Sequence, residues 1–435
     1  MTLSEQHINA VVGTPEAMCL RRCHESITGS ITKHMSKSRI AANLTILIAL
    51  ISFVSIGLPD AVLGVAWPSM QDTFGRSREE LGAILFSSGA GYIASGLVSG
   101  RAIEQLGVGR LLIVSTALVT TGLLGYALAP VFGMVLALAV LIGLGSGAVD
   151  SGLNFYAAEN FSNRIMNLLH AFFGLGAMAG PIVMAGVLST GISWRWGYVV
   201  VGAATLSMTV LFVFTRGIWR IDRHASQPGT DGATPASASV STVVRQPLVW
   251  LQVAVFLFTT GVEFTAGQWA YTLLVERLGL GTGAAGIWVG LYWGSMAFGR
   301  LLLGGLSRAI GDRRLILFGS WGMLVAALLV TSTSPAIAIA GLVLFGLSEG
   351  PLFPTLMSLT PIRLGSPIAL HAIGFQVSAA VLGGAILPTV AGLLARQFGL
   401  GAIGWTLVVG VLVLIGLVGV LHIKTVPVAP APVRA

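Results

Sequence analysis

The amino-acid sequence predicts an all-α membrane protein whose twelve transmembrane helices form two six-helix halves. Three observations predict it. Charged residues make up only 9% of the 435 residues, against 55% hydrophobic ones, whereas a soluble domain carries about 25% charged residues to face water. Apolar runs of spanning length recur along the chain, and the last six repeat landmarks of the first six at a constant offset.

A hydrocarbon core of about 30 Å takes about 20 helical residues to cross, and twelve runs approach or exceed that length. The first six are Asn43–Trp67, Leu81–Ile103, Leu111–Ala129, Val131–Ala157, Leu168–Leu188 and Trp196–Phe214. The second six are Leu248–Leu274, Ala284–Leu306, Leu315–Val330, Ala336–Leu359, Ile368–Ala395 and Trp405–Leu421. Lipid offers no partner to a backbone N–H or C=O, so each run is expected to be helical. The 57 glycines let such helices approach closely.

Polar stretches divide the chain. Residues 1–40 read as a cytosolic N-terminal tail, without an apolar stretch that could serve as a cleavable signal. Residues 41–215 form the first bundle and 247–423 the second. Between them, 216–246 is a linker rich in Pro, Gly and Ser, and 424–435 is a short cytosolic tail. Cytoplasmic loops are enriched in Lys and Arg. With both termini inside, only Arg76, Arg78, Arg195, Arg277 and Arg396 of the 24 basic residues fall outside.

The net charge of +8 therefore reads as a topology signal in a cell (plasma or inner) membrane, and no nucleic acid is expected as a partner. Cys19 and Cys23, with His24 and His34 nearby, do not complete a zinc set, so no metal and no cofactor are expected.

The repeat is the most informative feature. A shift of 203 positions places Asp60 on Glu263, Gly64 on Gly267, Gly91 on Gly294, Arg110 on Arg313, Gly143 on Gly346 and Gly147 on Gly350. A shift of 207 places Gly176 on Gly383 and Pro181 on Pro388. Two six-helix copies that both start inside form a parallel duplication.

From the end of the second run into the loop that follows stand Gly100, Glu104, Gly107 and Arg110, and from the end of the eighth Gly299, Arg300, Gly304, Asp312, Arg313 and Arg314. These loops resemble the signature of the major facilitator superfamily, with Glu104 where Asp is usual, and the resemblance covers Asn43 to Leu421. A narrower resemblance, to the fucose permease-like sugar symporters, rests on three motifs: Gly57-Leu58-Pro59-Asp60; Gly143-Leu144-Gly145-Ser146-Gly147 with Asp150 and Asn154; and Asn167-Leu168-Leu169-His170 with Phe173-Gly174 and Gly180-Pro181. That family carries essential membrane-embedded acids in its first and fourth helices, which implies such a role for Asp60 and Asp150.

The residues lead to similar positions by a separate route. An ionisable side chain in a spanning helix costs about 2.5 to 3.5 kcal/mol unless it faces a cavity or a partner, and only Asp60, Asp150, Glu263 and Glu349 lie deep in apolar runs. Carboxyl groups in such places can carry protons. Asp60 and Glu263 are expected to couple protons or bind solute. Asp150 and Asn154, four residues apart, share a helix face and could contact solute or form an inner gate.

His170 could relay protons or hydrogen-bond Asp150 or Glu159. Glu349 precedes Gly350-Pro351, and with Pro354 this predicts a broken tenth helix whose freed backbone groups Glu349 would satisfy. Gln268, Trp269, Tyr292 and Gln376 are candidate solute contacts. Gly100, Glu104, Arg110, Arg300, Asp312 and Arg313 either form a charged gate on the cytosolic face or simply anchor topology.

The function expected is secondary active transport of a small polar solute, a sugar or related metabolite, by alternating access with proton symport. The partners are then the solute, protons (or sodium) and the lipid bilayer, with the chain a monomer. A proton-antiport exporter of hydrophobic compounds is the alternative within transport, and a membrane sensor or scaffold the alternative outside it. No GxxxxGK[ST] loop supports ATP-driven pumping. His170 and His371 lack the partners a hydrolase needs, so the chain is not expected to be an enzyme.

Overall fold

The computed structural model describes residues 43–161, 163–219, 240–305 and 307–425. The expected N-terminal tail with Cys19 and Cys23, the middle of the expected linker and residues 426–435 lie outside the described residues. The chain divides into Met1–Leu50 and Ile51–Ala435. Of the first unit only the helical residues 43–50 are described, so every contact below lies within the second.

The first half comprises α1 (Asn43–Phe74), α2 (Arg78–Leu106), α3 (Val108–Leu128), α4 (Phe132–Asn160), α5 (Asn163–Ser189) and α6 (Trp194–Thr215). The second comprises α7 (Pro247–Arg277), α8 (Thr282–Gly305), α9 (Asp312–Val330), α10 (Pro335–Ser358), α11 (Ser366–Phe398) and α12 (Gly401–Thr425). Eleven of them are long and apolar enough to cross a membrane. The twelfth, α8, is 24 residues long but is diluted by glycines and by Tyr292, Ser295 and Arg300. The architecture is that of twelve helices in two halves, and no strand occurs among the described residues.

Within the halves the packing repeats. α2 lies on α4 as α8 lies on α10, and α3 lies on α6 as α9 lies on α12. One contact carries the repeat down to the atom. A Cβ on Gly176 of α5 would overlap the Val54 carbonyl oxygen of α1, and a Cβ on Gly383 of α11 would overlap the Leu257 carbonyl oxygen of α7. Val54 and Leu257 are themselves 203 positions apart. Helix backbone therefore touches helix backbone at corresponding places in both copies, which only glycine allows.

The turns repeat too. Gly107 before α3 and Gly311 before α9 sit at φ 75° and 83°, a region that side chains other than glycine rarely enter. This is the physical content of Gly107 in the loop signature, and Gly311 matches it in the second copy.

α10 is broken as its Gly-Pro pair predicts, into Pro335–Glu349 and Leu352–Ser358. α1 is interrupted for one residue at Ala61, directly after Pro59 and Asp60. The described ends of the linker are packed rather than extended. Trp219 meets Tyr156 and Phe212 edge-on, and Val240–Val244 is a short helix.

Across the seam between the halves, α5 lies on α8, α2 on α11 and α1 on α7. Backbone contact at Gly176 and Gly383 makes a direct prediction. Gly176→Ala or Gly383→Ala overpacks its contact and costs about 1–3 kcal/mol, read as a lower thermal-unfolding midpoint of the purified protein. Gly186→Ala, where a Cβ meets nothing within 4 Å, leaves the midpoint unchanged or raises it.

Candidate functional site

The site is built where α1 crosses α7. Gly64 lets the two helices touch, since a Cβ there would lie 2.7 Å from the Gln268 carbonyl oxygen and 3.0 Å from its Oε1. One turn away, Gln268 Nε2 donates a long hydrogen bond of 3.4 Å to the Asp60 carbonyl. Gln268 Oε1 is buried without a hydrogen-bond partner. The half-buried Asp60 side chain at the α1 break also has none among the described residues. The seam thus presents unmet acceptors from both halves.

Asp150 faces this seam from α4. The Tyr92 hydroxyl of α2 donates to its Oδ2 at 2.8 Å, and Asn154 Nδ2 donates to its Oδ1 at 2.8 Å. The charges of Asp150 and Glu263 both act on Asp60, so three carboxyl groups share one electrostatic neighbourhood. Asp150 and Asn154 do share a face. The tyrosine that completes their group was not singled out from the sequence, where it reads as one more aromatic in an apolar run.

Glu263 of α7 is 7% exposed and has a counter-ion. Arg300 Nη2 of α8 lies 3.7 Å from its Oε1, a pairing that the position of Arg300 near a helix end did not reveal. Tyr292 of α8 donates its hydroxyl proton to the Glu263 backbone carbonyl at 2.8 Å. Glu349 stands at the end of the first segment of α10, 2% exposed. The charges of Glu263 and Arg300 both reach it.

Several expected roles change. Trp269 is fully buried and donates its indole N–H to the Pro388 carbonyl at 2.9 Å, tying α7 to α11 instead of facing solute. Tyr292 likewise ties α8 to α7. Gln376 is fully buried, accepts from Thr360 at 3.1 Å and donates to Gln252 at 3.3 Å. It belongs to a polar knot that includes two residues not noticed in the sequence. His170 has the Phe53 ring at 5.4 Å and the Arg300 charge as neighbours, not Asp150 or Glu159. Both Glu349 oxygens lack hydrogen-bond partners, so they do not satisfy the backbone of the broken helix.

The two ends of the seam differ. At one end Arg78 meets Glu276 at 2.7 Å and Glu79 meets Arg396, each pair joining the first half to the second. The Ser77–Glu80 capping box sets this corner, with the Ser77 N–H donating to Glu80 Oε1 at 3.0 Å. A Cβ on the neighbouring Gly82 would overlap Thr389 of α11. This end is shut. Toward the other end α2 and α11 part around a groove of about 390 Å³ lined by Phe86, Ile93, Leu97, Val381 and Leu382. A Cβ on Gly96, Gly100 or Gly374 there would meet nothing within 4 Å. Among the described residues, Glu104, Arg110, Asp312 and Arg313 form no ion pair across the seam.

The chain was compared with known proteins. The family profile of the Major Facilitator Superfamily matches residues 47–369. The glucose/mannose transporter GlcP of Bacillus subtilis (strain 168) is 22% identical, with 78% of this chain and 85% of that protein covered. The 3-(3-hydroxy-phenyl)propionate transporter of Escherichia coli (strain K12) is 26% identical, with 86% and 92% covered. The crystal structure of the superfamily transporter FucP in the outward conformation matches at a TM-score of 0.59 and 15% identity, over 88% of this chain and 99% of that one. The glycine loops, the repeated halves and the profile match agree: the chain belongs to the Major Facilitator Superfamily, as an integral membrane transporter of small solutes and not an enzyme.

Proposed function

We propose that the chain carries a small hydroxyl-rich solute, a sugar or related metabolite, by alternating access, driven by symport of protons. One observation carries this reading. Where the halves meet, acceptors are left unmet: the Asp60 carboxyl and Gln268 Oε1 lack partners, and Asp150 is held nearby by Tyr92 and Asn154. A buried acceptor left unmet costs about 1–3 kcal/mol, so the ligand that relieves these groups brings O–H or N–H donors. Arg300, the cation in this neighbourhood, is taken by Glu263, which disfavours an anionic solute.

The glucose/mannose transporter among the relatives supports a sugar, while the arylpropionate transporter marks how widely cargo varies at this level of identity. Asp60 and Glu263 are the coupling or solute-binding pair, and Asp150 with Asn154 and Tyr92 supports Asp60. The positive-inside count supports an orientation with the shut end, carrying Arg78, Arg277 and Arg396, outside the cell membrane and both termini in the cytoplasm. The conformation is then inward-facing. The charged loops around Gly100, Glu104, Arg110, Asp312 and Arg313 close the cytosolic end in the opposite state. A second reading, export of hydrophobic compounds by proton antiport, is favoured by the wholly apolar groove between α2 and α11.

Purified protein in sealed vesicles separates the two. With an inward proton gradient, a labelled hexose or pentose from a panel of sugars and polyols accumulates. Dye expulsion without sugar accumulation would overturn symport. Asp60→Asn lowers accumulation about 10- to 100-fold, the loss of a charge-assisted hydrogen bond worth about 1.5–3 kcal/mol. Unchanged proton-driven uptake in both Asp60→Asn and Glu263→Gln would refute the coupling pair.

The shut end yields a further prediction, read as the distance between spin labels at Asp72 and Phe398. Gly82→Leu keeps α2 from α11 and lengthens that distance. Neutralising Arg78 and Arg396 together moves the balance by about thirtyfold or less, because exposed ion pairs are worth about 0–1 kcal/mol each.

A further inference from the structure

One face of α1 lines a small cavity inside the first half. The cavity measures about 20 Å³ and is bounded by Ser55 and Pro59 of α1, Thr116 of α3, Ser146 of α4 and Thr205 and Met208 of α6. Proline has no N–H, so Pro59 leaves the Ser55 carbonyl, four residues before it, without its helical donor. At membrane depth such a carbonyl needs another partner.

The side chains around that carbonyl are polar in a complementary way. Among the described residues the Ser55 and Ser146 hydroxyls have no hydrogen-bond partner. Thr116 donates its proton to the Leu112 carbonyl at 2.7 Å, and Thr205 donates to the Gly202 carbonyl at 3.0 Å. Toward the cavity both threonines can therefore only accept. Acceptors that need a donor thus stand beside serines that can give one.

The second half has no such place. At the offset of 203 positions, Ser55 and Pro59 answer to Phe258 and Val262, Thr116 to Gly319 and Val149, also on the cavity wall, to Leu352. Of the polar residues on α1, α3 and α4 named here, only Ser146 answers to a polar one, Glu349. Val262 and Leu352 are fully buried, and a Cβ on Gly319 would overlap the Leu352 side chain. Apolar side chains fill there what hydroxyls and a proline line here.

We propose that this cavity binds one ordered water, which donates to the Ser55 carbonyl and to a threonine oxygen and accepts a hydrogen bond from a serine hydroxyl. A buried water takes about 10–15 Å³ of such room and 2–4 polar partners, and both requirements are met. The consequence falls on Asp60, the residue after Pro59. The turn of α1 that leads to it is held by a small exchangeable molecule instead of a fixed N–H. The site is independent of the solute carried and of the coupling ion.

Met208 reports on the water, because it lines the cavity yet is only 3% exposed. Brief X-ray radiolysis of the protein in lipid generates hydroxyl radicals from bound water, and mass spectrometry reads the oxidation of each methionine. Met208 is oxidised several-fold more than Met184 and Met323, which are fully buried and lie away from the cavity. Equal oxidation of the three overturns the proposal, and this comparison needs no variant. Ser146→Val fills the cavity and Pro59→Ala gives the Ser55 carbonyl its N–H, so each brings Met208 down to the level of the other two. Full Met208 oxidation in either variant, once folded, is equally fatal. The wild type is measured in choline chloride and again in sodium chloride. Protection of Met208 by sodium alone would assign these oxygens to a cation and overturn the water.

Discussion

Close approach of one helix backbone to another is the constraint on which the rest of this molecule depends. In lipid no hydrophobic force draws helices together, so association comes from packing contacts that small residues permit. Gly176 against Val54 and Gly383 against Leu257 set α5 on α1 and α11 on α7. Gly64 against Gln268 then brings the two halves into contact at α1 and α7. Asp60, beside the interruption of α1 at Ala61, is carried to the seam by that contact and not by any bond of its own side chain.

The same closeness leaves buried acceptors without donors at Gln268 and Glu349. Carboxyl groups arrive from α1, α4, α7 and α10, and Arg300 is the guanidinium that reaches the last two. Tyr92, Tyr292 and Asn154 have few protons to give, and each is already directed, two to Asp150 and one to the Glu263 backbone. An interior balanced in this way responds to whatever supplies a donor. A hydroxyl-rich solute would do so at Asp60 and Gln268.

The shut end is held differently. Arg78–Glu276 and Glu79–Arg396 are partly exposed, and pairs of that kind contribute little. Packing of Gly82 on Thr389 supplies the fit, and the charges fix its register. A closure of this sort is easily reversed, as a carrier requires. At the opposite end, among the described residues, the charges that suggested a gate have no ion-pair partner across the seam.

The sequence by itself determined the twelve helices, their duplication and the break in α10, because those follow from composition, from a constant offset and from a Gly-Pro pair that lipid-embedded backbone must accommodate. It also marked Asp60, Asp150, Glu263 and Glu349, since charge in an apolar run is conspicuous. Only the tertiary structure decided what each of them meets. Tyr92 became a partner of Asp150, Arg300 of Glu263, and Gln376 of Gln252 and Thr360, while Trp269 turned inward to hold Pro388. Such pairings join residues up to 124 positions apart. They depend on how far each helix is rotated about its axis, which neighbouring helices set through packing and hydropathy does not record.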